Sequence, residues 1–107
     1  MATISTKKIL TLINVFTVEP QQQEELAQVL IDATERTMKH QPGFISASIH
    51  KSLDGHKVVN YAQWKSREDF EAMTKNPHAI PHMKAAADLA KFEPILCEVL
   101  ETISLDA

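Results

Sequence analysis

The sequence predicts an α+β fold, a four-stranded antiparallel sheet with strands and helices in the order β-α-β-β-α-β and the helices on one face. Three observations predict it. Two β-branched runs meet at Asp54-Gly55, a strong hairpin signal; an amphipathic helical segment precedes them; and a second helical region separates the hairpin from a last strand-like run. Hairpin strands are antiparallel neighbours. The full order is most often met as one sheet covered by helices on a single side.

Residues 9–18 are rich in β-branched side chains without helical period, so they read as a central strand apolar on both faces. Pro20 suits a first helical turn, Glu24 and Glu25 complement the positive end of the helix dipole, and Leu26, Val29, Leu30, Ala33 and Thr37 recur at helical spacing. A helix of about five turns is expected. It ends before Gln41-Pro42-Gly43, where proline drives its predecessor out of the helical region and glycine permits the reversal. Residues 44–53 and 56–65 form the hairpin strands. Ser66 caps a short helix, with Asp69 at the capping-box position and Phe70 and Met73 on its apolar side. Asn76-Pro77 stops that helix, a further helical stretch over 77–92 is disturbed by Pro81, and Pro94 opens a last strand through Ile95, Cys97, Val99 and Ile103.

With 107 residues a single domain over 1–107 is expected, burying roughly 65% of its unfolded surface. Hydrophobic residues at 44% and charged residues at 23% are a globular composition. A net charge of -3 offers no basic patch to displace counterions, so neither nucleic acid nor an anionic membrane is an expected partner. The basic pair Lys7-Lys8 ahead of residues 9–18 imitates a leader peptide. Thr11, Asn14 and Thr17 interrupt that apolar run, and Glu19-Pro20-Gln21-Gln22 stands where small cleavage-site residues belong. The lone Cys97 reads as a buried inert thiol, and a reducing cytoplasm is the expected setting.

Strand alternation places Leu10, Leu12 and Phe16 on one side of the first strand and Ile9, Ile13 and Val15 on the other. The third strand sets Val58, Ala62 and Trp64 against Val59 and Tyr61. Helices on one face cover one set only, and leaving the other wet exposes an apolar patch on the order of several hundred square ångströms. A homodimer pairing the uncovered sheet faces is therefore expected, driven by about 25 cal/mol per Å² of apolar area buried.

Gly43 and Gly55 are the only glycines and neither lies in a phosphate-cradling loop, while Cys-x-x-Cys and Gly-x-Ser-x-Gly are missing too. His78 and His82, at i and i+4, share one helical face and have the spacing of half a metal site. No third ligand is specified and Pro81 distorts the turn between them, so the pair reads as partly solvated histidines at a pocket mouth and no metal is expected. His40, His50 and His56 read as surface residues. The informative stretch is Asn60-Tyr61-Ala62-Gln63-Trp64, where alternation puts Asn60, Ala62 and Trp64 on one face. A small residue between an amide and an indole leaves a notch. Spacing alone fits a core tryptophan beside a backbone-satisfied asparagine equally well, but an asparagine in mid-strand runs against propensity and tilts the reading toward function.

The motifs Pro42-Gly43-Phe44, Ser52-Leu53-Asp54-Gly55, Val58-Val59-Asn60-Tyr61-Ala62-Gln63-Trp64 and Ser66-Arg67-Glu68-Asp69-Phe70 closely resemble the antibiotic biosynthesis monooxygenase domain family of the dimeric α+β barrel superfamily. The resemblance spans nearly the whole chain. It implies two ferredoxin-like sheets packed into a shared barrel, in agreement with the dimer expected from burial.

In the quinone-forming members an Asn and a Trp four residues later line a pocket between sheet and helices, and Asn60 and Trp64 match those positions. The implied reaction uses no metal, flavin or other cofactor. Triplet oxygen does not combine directly with a singlet organic molecule, so a small phenolic substrate must become electron-rich by losing a proton. The resemblance then assigns Asn60 to stabilise the resulting anion and the Trp64 N–H to donate to the phenol or peroxide. The tyrosine of that subgroup, six residues after the tryptophan, is Phe70 here, and its later arginine falls near Met83 or Lys84. His78 or His82 is expected to handle the proton instead. The haem-degrading members give a second reading, in which Asn14 matches and Met73 and Met83 stand in place of a tryptophan and the haem-ligating histidine, with His82 one residue away. Asn14, Phe70, Met73 and Met83 are expected to line the substrate pocket, and a third, non-enzymatic reading keeps that pocket as a binding site for a small apolar or aromatic molecule or makes the domain an accessory dimer in a larger pathway.

Overall fold

The computed structural model describes residues 9–105; Lys7-Lys8 lies outside them. Strands β1 (Leu10–Thr17), β2 (Phe44–Lys51), β3 (Lys57–Trp64) and β4 (Lys91–Cys97) form one antiparallel sheet in the order β2-β3-β1-β4. Helices α1 (Gln23–Arg36), α2 (Arg67–Thr74) and α3 (Ile80–Leu89) pack against one of its faces. This is the expected α+β, ferredoxin-like arrangement. The run of β-branched residues in β1 is central, pairing with β3 from Leu10 opposite Trp64 to Thr17 opposite Lys57 and with β4 on its other side.

The helix-facing side of the sheet holds two apolar clusters. Phe16 and Val58 pack with Leu26 and Leu30 of α1 and Ala86 of α3. Trp64 packs with Met73 of α2 and with Ala79, flanked by Leu10, Met38, Phe44, Phe70 and Met83. Two local devices hold these elements in register. Gln23 donates from Nε2 to the carbonyls of Ser52 and Lys57, at 3.0 and 2.9 Å, and so fixes the base of the hairpin to the start of α1. Gly43, at φ +84°, accepts from the Lys65 N–H at 2.7 Å, and a Cβ there would collide with the Asp69 side chain. Asp69 completes the expected cap, its N–H donating to Ser66 Oγ at 3.1 Å while that hydroxyl donates to Asp69 Oδ2 at 3.0 Å.

Several boundaries differ from the sequence reading, each for a local reason. α1 is 14 residues, with 3-10 turns at Pro20–Gln22 and Met38–His40 extending it at both ends; Thr37 leaves the helical region at φ -129°. The hairpin loop spans residues 52–56 rather than Asp54-Gly55 alone, because the Ser52 hydroxyl and the Asp54 carboxylate take up its backbone N–H groups. Pro81 does not disturb a helix over 77–92. It lies in the first turn of α3, where a missing N–H costs nothing. Pro94 sits within β4 instead of opening it, which an edge strand tolerates, and the strand ends at Cys97 rather than reaching Val99 and Ile103. Leu100 and Ile103 are exposed beyond it, and Cys97 is half-buried rather than buried.

The outer sheet face carries an apolar row, Tyr61 opposite Ile13 opposite Ile95, continued by Val15 and Val59. It is not apolar throughout, since β2 presents Ser46, Ser48 and His50 there. Thr11 and Gln63 on the same face are buried and hydrogen-bonded to each other at 3.3 Å. Among the described residues no helix is long and apolar enough to cross a membrane.

Candidate functional site

The sheet is thin where the two clusters meet. Its helix-facing rows run Lys51–Val58–Phe16–Phe92, then Ile49–Asn60–Asn14–Pro94, then Ala47–Ala62–Leu12–Leu96. The middle row places two short amides at the centre of the sheet, and the next places two alanines beside them. Leu30, Ala33 and Thr34 of α1 and Met83 and Ala86 of α3 leave the space beside these short side chains unfilled, and a cavity of about 220 Å³ results.

Asn14 and Asn60 are direct cross-strand partners, and both side chains line this cavity. Their Oδ1 atoms are buried and have no hydrogen-bond partner. An unpaired buried acceptor costs about 1–3 kcal/mol, and two on paired residues lining one small cavity mark a place suited to a polar partner that is not protein. The threonine hydroxyls nearby do not answer them: Thr34 donates to the Leu30 carbonyl at 2.8 Å and Thr74 to that of Glu71 at 2.7 Å.

Trp64, 2% exposed, forms the end wall. Phe44 and Phe70 meet its ring edge-on, at centroid distances of 5.4 and 6.2 Å, so its orientation is fixed. Phe70, Met73 and Met83 complete that end, and His82 of α3 is the one titratable side chain among the described residues lining the cavity. The other histidine of the pair is elsewhere. Because α3 begins at Ile80, His78 precedes it, with its backbone N–H held by Asn76 Oδ1 at 2.8 Å and its side chain exposed, and the two do not share a helical face at the cavity. Among the described residues no group of three or more His, Cys, Asp or Glu is placed to hold a metal ion.

A family model for antibiotic biosynthesis monooxygenases matches residues 9–88. The chain belongs to the antibiotic biosynthesis monooxygenase family. Tetracenomycin-F1 monooxygenase of Streptomyces glaucescens is 48% identical to it over 100 residues, 92% of this chain and 89% of that protein. Among solved structures, the ActVA-Orf6 monooxygenase of Streptomyces coelicolor, in complex with nanaomycin D, matches with a TM-score of 0.81 at 26% identity, covering 89% of this chain and 90% of that one. SnoaB, a cofactor-independent oxygenase from Streptomyces nogalater, matches with a TM-score of 0.72 at 25% identity, covering 90% of this chain and 97% of that one.

Of the candidate site residues named from the sequence, Asn14, Asn60, Trp64, Phe70, Met73, Met83 and His82 all border the cavity, and His78 does not. The sequence reading missed Met38, Phe44 and Ala47, and above all the direct pairing of the two asparagines. Met38 and Phe44 flank the Pro42-Gly43 turn, and a signal was available there, because a reversal that tight brings the residues on its two sides to one end of the sheet.

Proposed function

We propose that this chain is a cofactor-independent monooxygenase that inserts one atom of O₂ into an anthrone-like phenol, yielding the quinone and water. The observation that carries this reading is the pair of unsatisfied amides in an otherwise apolar cavity. A carboxamide can accept from a neutral phenol O–H through its oxygen and, turned about its last bond, donate through its N–H₂ to the anion left when the proton goes. Two of them side by side suit a substrate whose oxygens change from donor to acceptor during reaction.

The steps balance as follows. His82 takes a proton from the benzylic carbon, leaving an enolate whose charge Asn14 and Asn60 stabilise. The enolate gives one electron to O₂, and the resulting radical and superoxide join in a C–O bond. A proton returned to the distal oxygen makes the hydroperoxide, with the Trp64 N–H as donor to it. Loss of the second benzylic hydrogen as a proton, with O–O cleavage, then gives the ketone and water. Exclusion of bulk water by Phe44, Phe70 and the methionines strengthens each hydrogen bond in the cavity. The monooxygenase names of the relatives, and the description of one as cofactor-independent, support the same reading.

The working unit in this proposal is a homodimer joined through the outer sheet face. The row of Tyr61, Ile13 and Ile95 and the exposed Leu100 and Ile103 following β4 supply apolar surface that a second copy would bury.

Oxygen uptake with dithranol tests the reaction. One O₂ consumed per quinone formed, with the rate lowered by Asn60→Ala and Trp64→Phe, supports it; a rate no faster than buffer removes it. A hemin titration run alongside separates the haem-degrading reading, which requires a Soret shift saturating at one hemin per chain.

A further inference from the structure

Three of the four methionines in the chain, Met38, Met73 and Met83, line the one cavity. They arrive from three separate elements, the 3-10 turn after α1, α2 and α3, and all three pack in the cluster around Trp64. Met73 is 7% exposed and the other two are half-buried, so bulk solvent reaches only part of these side chains while a molecule in the cavity meets all three residues. Thioethers are adaptable walls for aromatic ligands, and they are also the side chains that hydroperoxides oxidise most readily after thiolates.

We propose that Met38, Met73 and Met83 form an oxidation site facing into the cavity, where their sulfurs take an oxygen atom from an aromatic hydroperoxide bound there. The sulfur lone pair attacks the distal peroxide oxygen, the O–O bond breaks, and the proton passes to the departing alkoxide. The sulfide is oxidised by two electrons to the sulfoxide and the hydroperoxide is reduced to the alcohol. Each such event replaces an apolar wall atom by a strong dipole, weakens binding of the apolar substrate and is reversed by a sulfoxide reductase. During turnover the oxidant is the substrate hydroperoxide, and that part rests on the monooxygenase reading; the presence of the site does not.

The test supplies the oxidant from outside. The folded protein is treated with cumene hydroperoxide or with hydrogen peroxide, sulfoxides are mapped by peptide mass spectrometry, and the ratio of the two rates at each methionine is divided by the same ratio in urea-unfolded chain. Burying a phenyl ring gains at least the equivalent of two methylenes, so the normalised ratio is expected at about tenfold or more at the three methionines. An excess of 1,8-dihydroxyanthraquinone is expected to protect all three. A normalised ratio near one overturns the proposal; a ratio of about tenfold or more that this competitor leaves unchanged keeps the oxidation site and removes the anthrone-like substrate. If dithranol is not turned over, the monooxygenase reading fails while the cumene hydroperoxide map still decides the oxidation site. If it is turned over, sulfoxide at these positions is expected to accumulate with the number of turnovers, and its absence overturns the turnover-linked part.

Discussion

Replacing Asn60 by leucine nearly preserves side-chain shape while removing the amide. The Asn60 oxygen is buried and unpaired beside the Asn14 oxygen in the same condition. If such an oxygen costs about 1–3 kcal/mol, leucine recovers about 1–2 kcal/mol of stability, because part of its surface remains unpacked against the cavity. A domain of this size moves by about 4–8 °C in Tm per kcal/mol, so the variant is expected to melt roughly 4–16 °C above the wild type. Asn14→Leu should behave alike. The double variant should gain less than the sum, since the two side chains are cross-strand neighbours. The assay is thermal unfolding by circular dichroism at one fixed protein concentration, because the proposed dimer would make Tm concentration-dependent. Oxygen uptake measured on the same samples should fall by about 10²–10³ as the anion loses a donor. A variant that melts below the wild type yet oxidises phenol at the wild-type rate would refute the reasoning on both counts.

His82→Gln keeps a polar side chain at the cavity but cannot act as the base, so kcat should drop by about 10²–10⁴. A wild-type kcat in the variant would assign proton removal to another group. Gly43→Ala forces a side chain into the left-handed region and against Asp69, so it should cost at least about 1–2 kcal/mol, and an unchanged urea midpoint would contradict this. The Asp54 carboxyl is held below its ordinary range by the Ser52 hydroxyl and the His56 backbone N–H. A depressed carboxyl stabilises the fold above its unfolded-state pKa and loses that effect as pH falls through the folded-state value. The gap in urea midpoint between wild type and Asp54→Ala should accordingly close in acid, whereas a gap constant with pH would show that the hairpin does not depend on this charge.

The sheet and its covered face were legible because each signal was local. Gly55 had to mark a reversal, and the spacing of Leu26, Leu30 and Ala33 had to face a core. Prolines were harder, since Pro81 breaks a helix from within but starts one at its first turn, and nothing in Pro77-His78-Ala79 announces a cap that would decide between the two. Misplacing that start is what set His78 and His82 on a common face. Alternation within β3 gave the common face of Asn60 and Trp64 without any register. The pairing of Asn14 with Asn60 needs the β1–β3 register, and a slip of two residues keeps every side chain on its face while setting Asn14 opposite Val58 or Ala62. That register follows from long-range packing of Phe16 and Val58 under α1 and of Leu10 and Trp64 near α2, which no short window of sequence contains.

Labelling with ¹⁸O₂ tests the central claim most directly. Dithranol oxidised by the wild type should give a quinone whose new carbonyl carries one ¹⁸O while the other atom appears in water, with product formation slowed in both Asn14→Leu and Asn60→Leu. A new carbonyl oxygen drawn from solvent, or labelled quinone formed equally fast by the two variants, would contradict the assignment of the amide-lined cavity as the site of oxygen insertion.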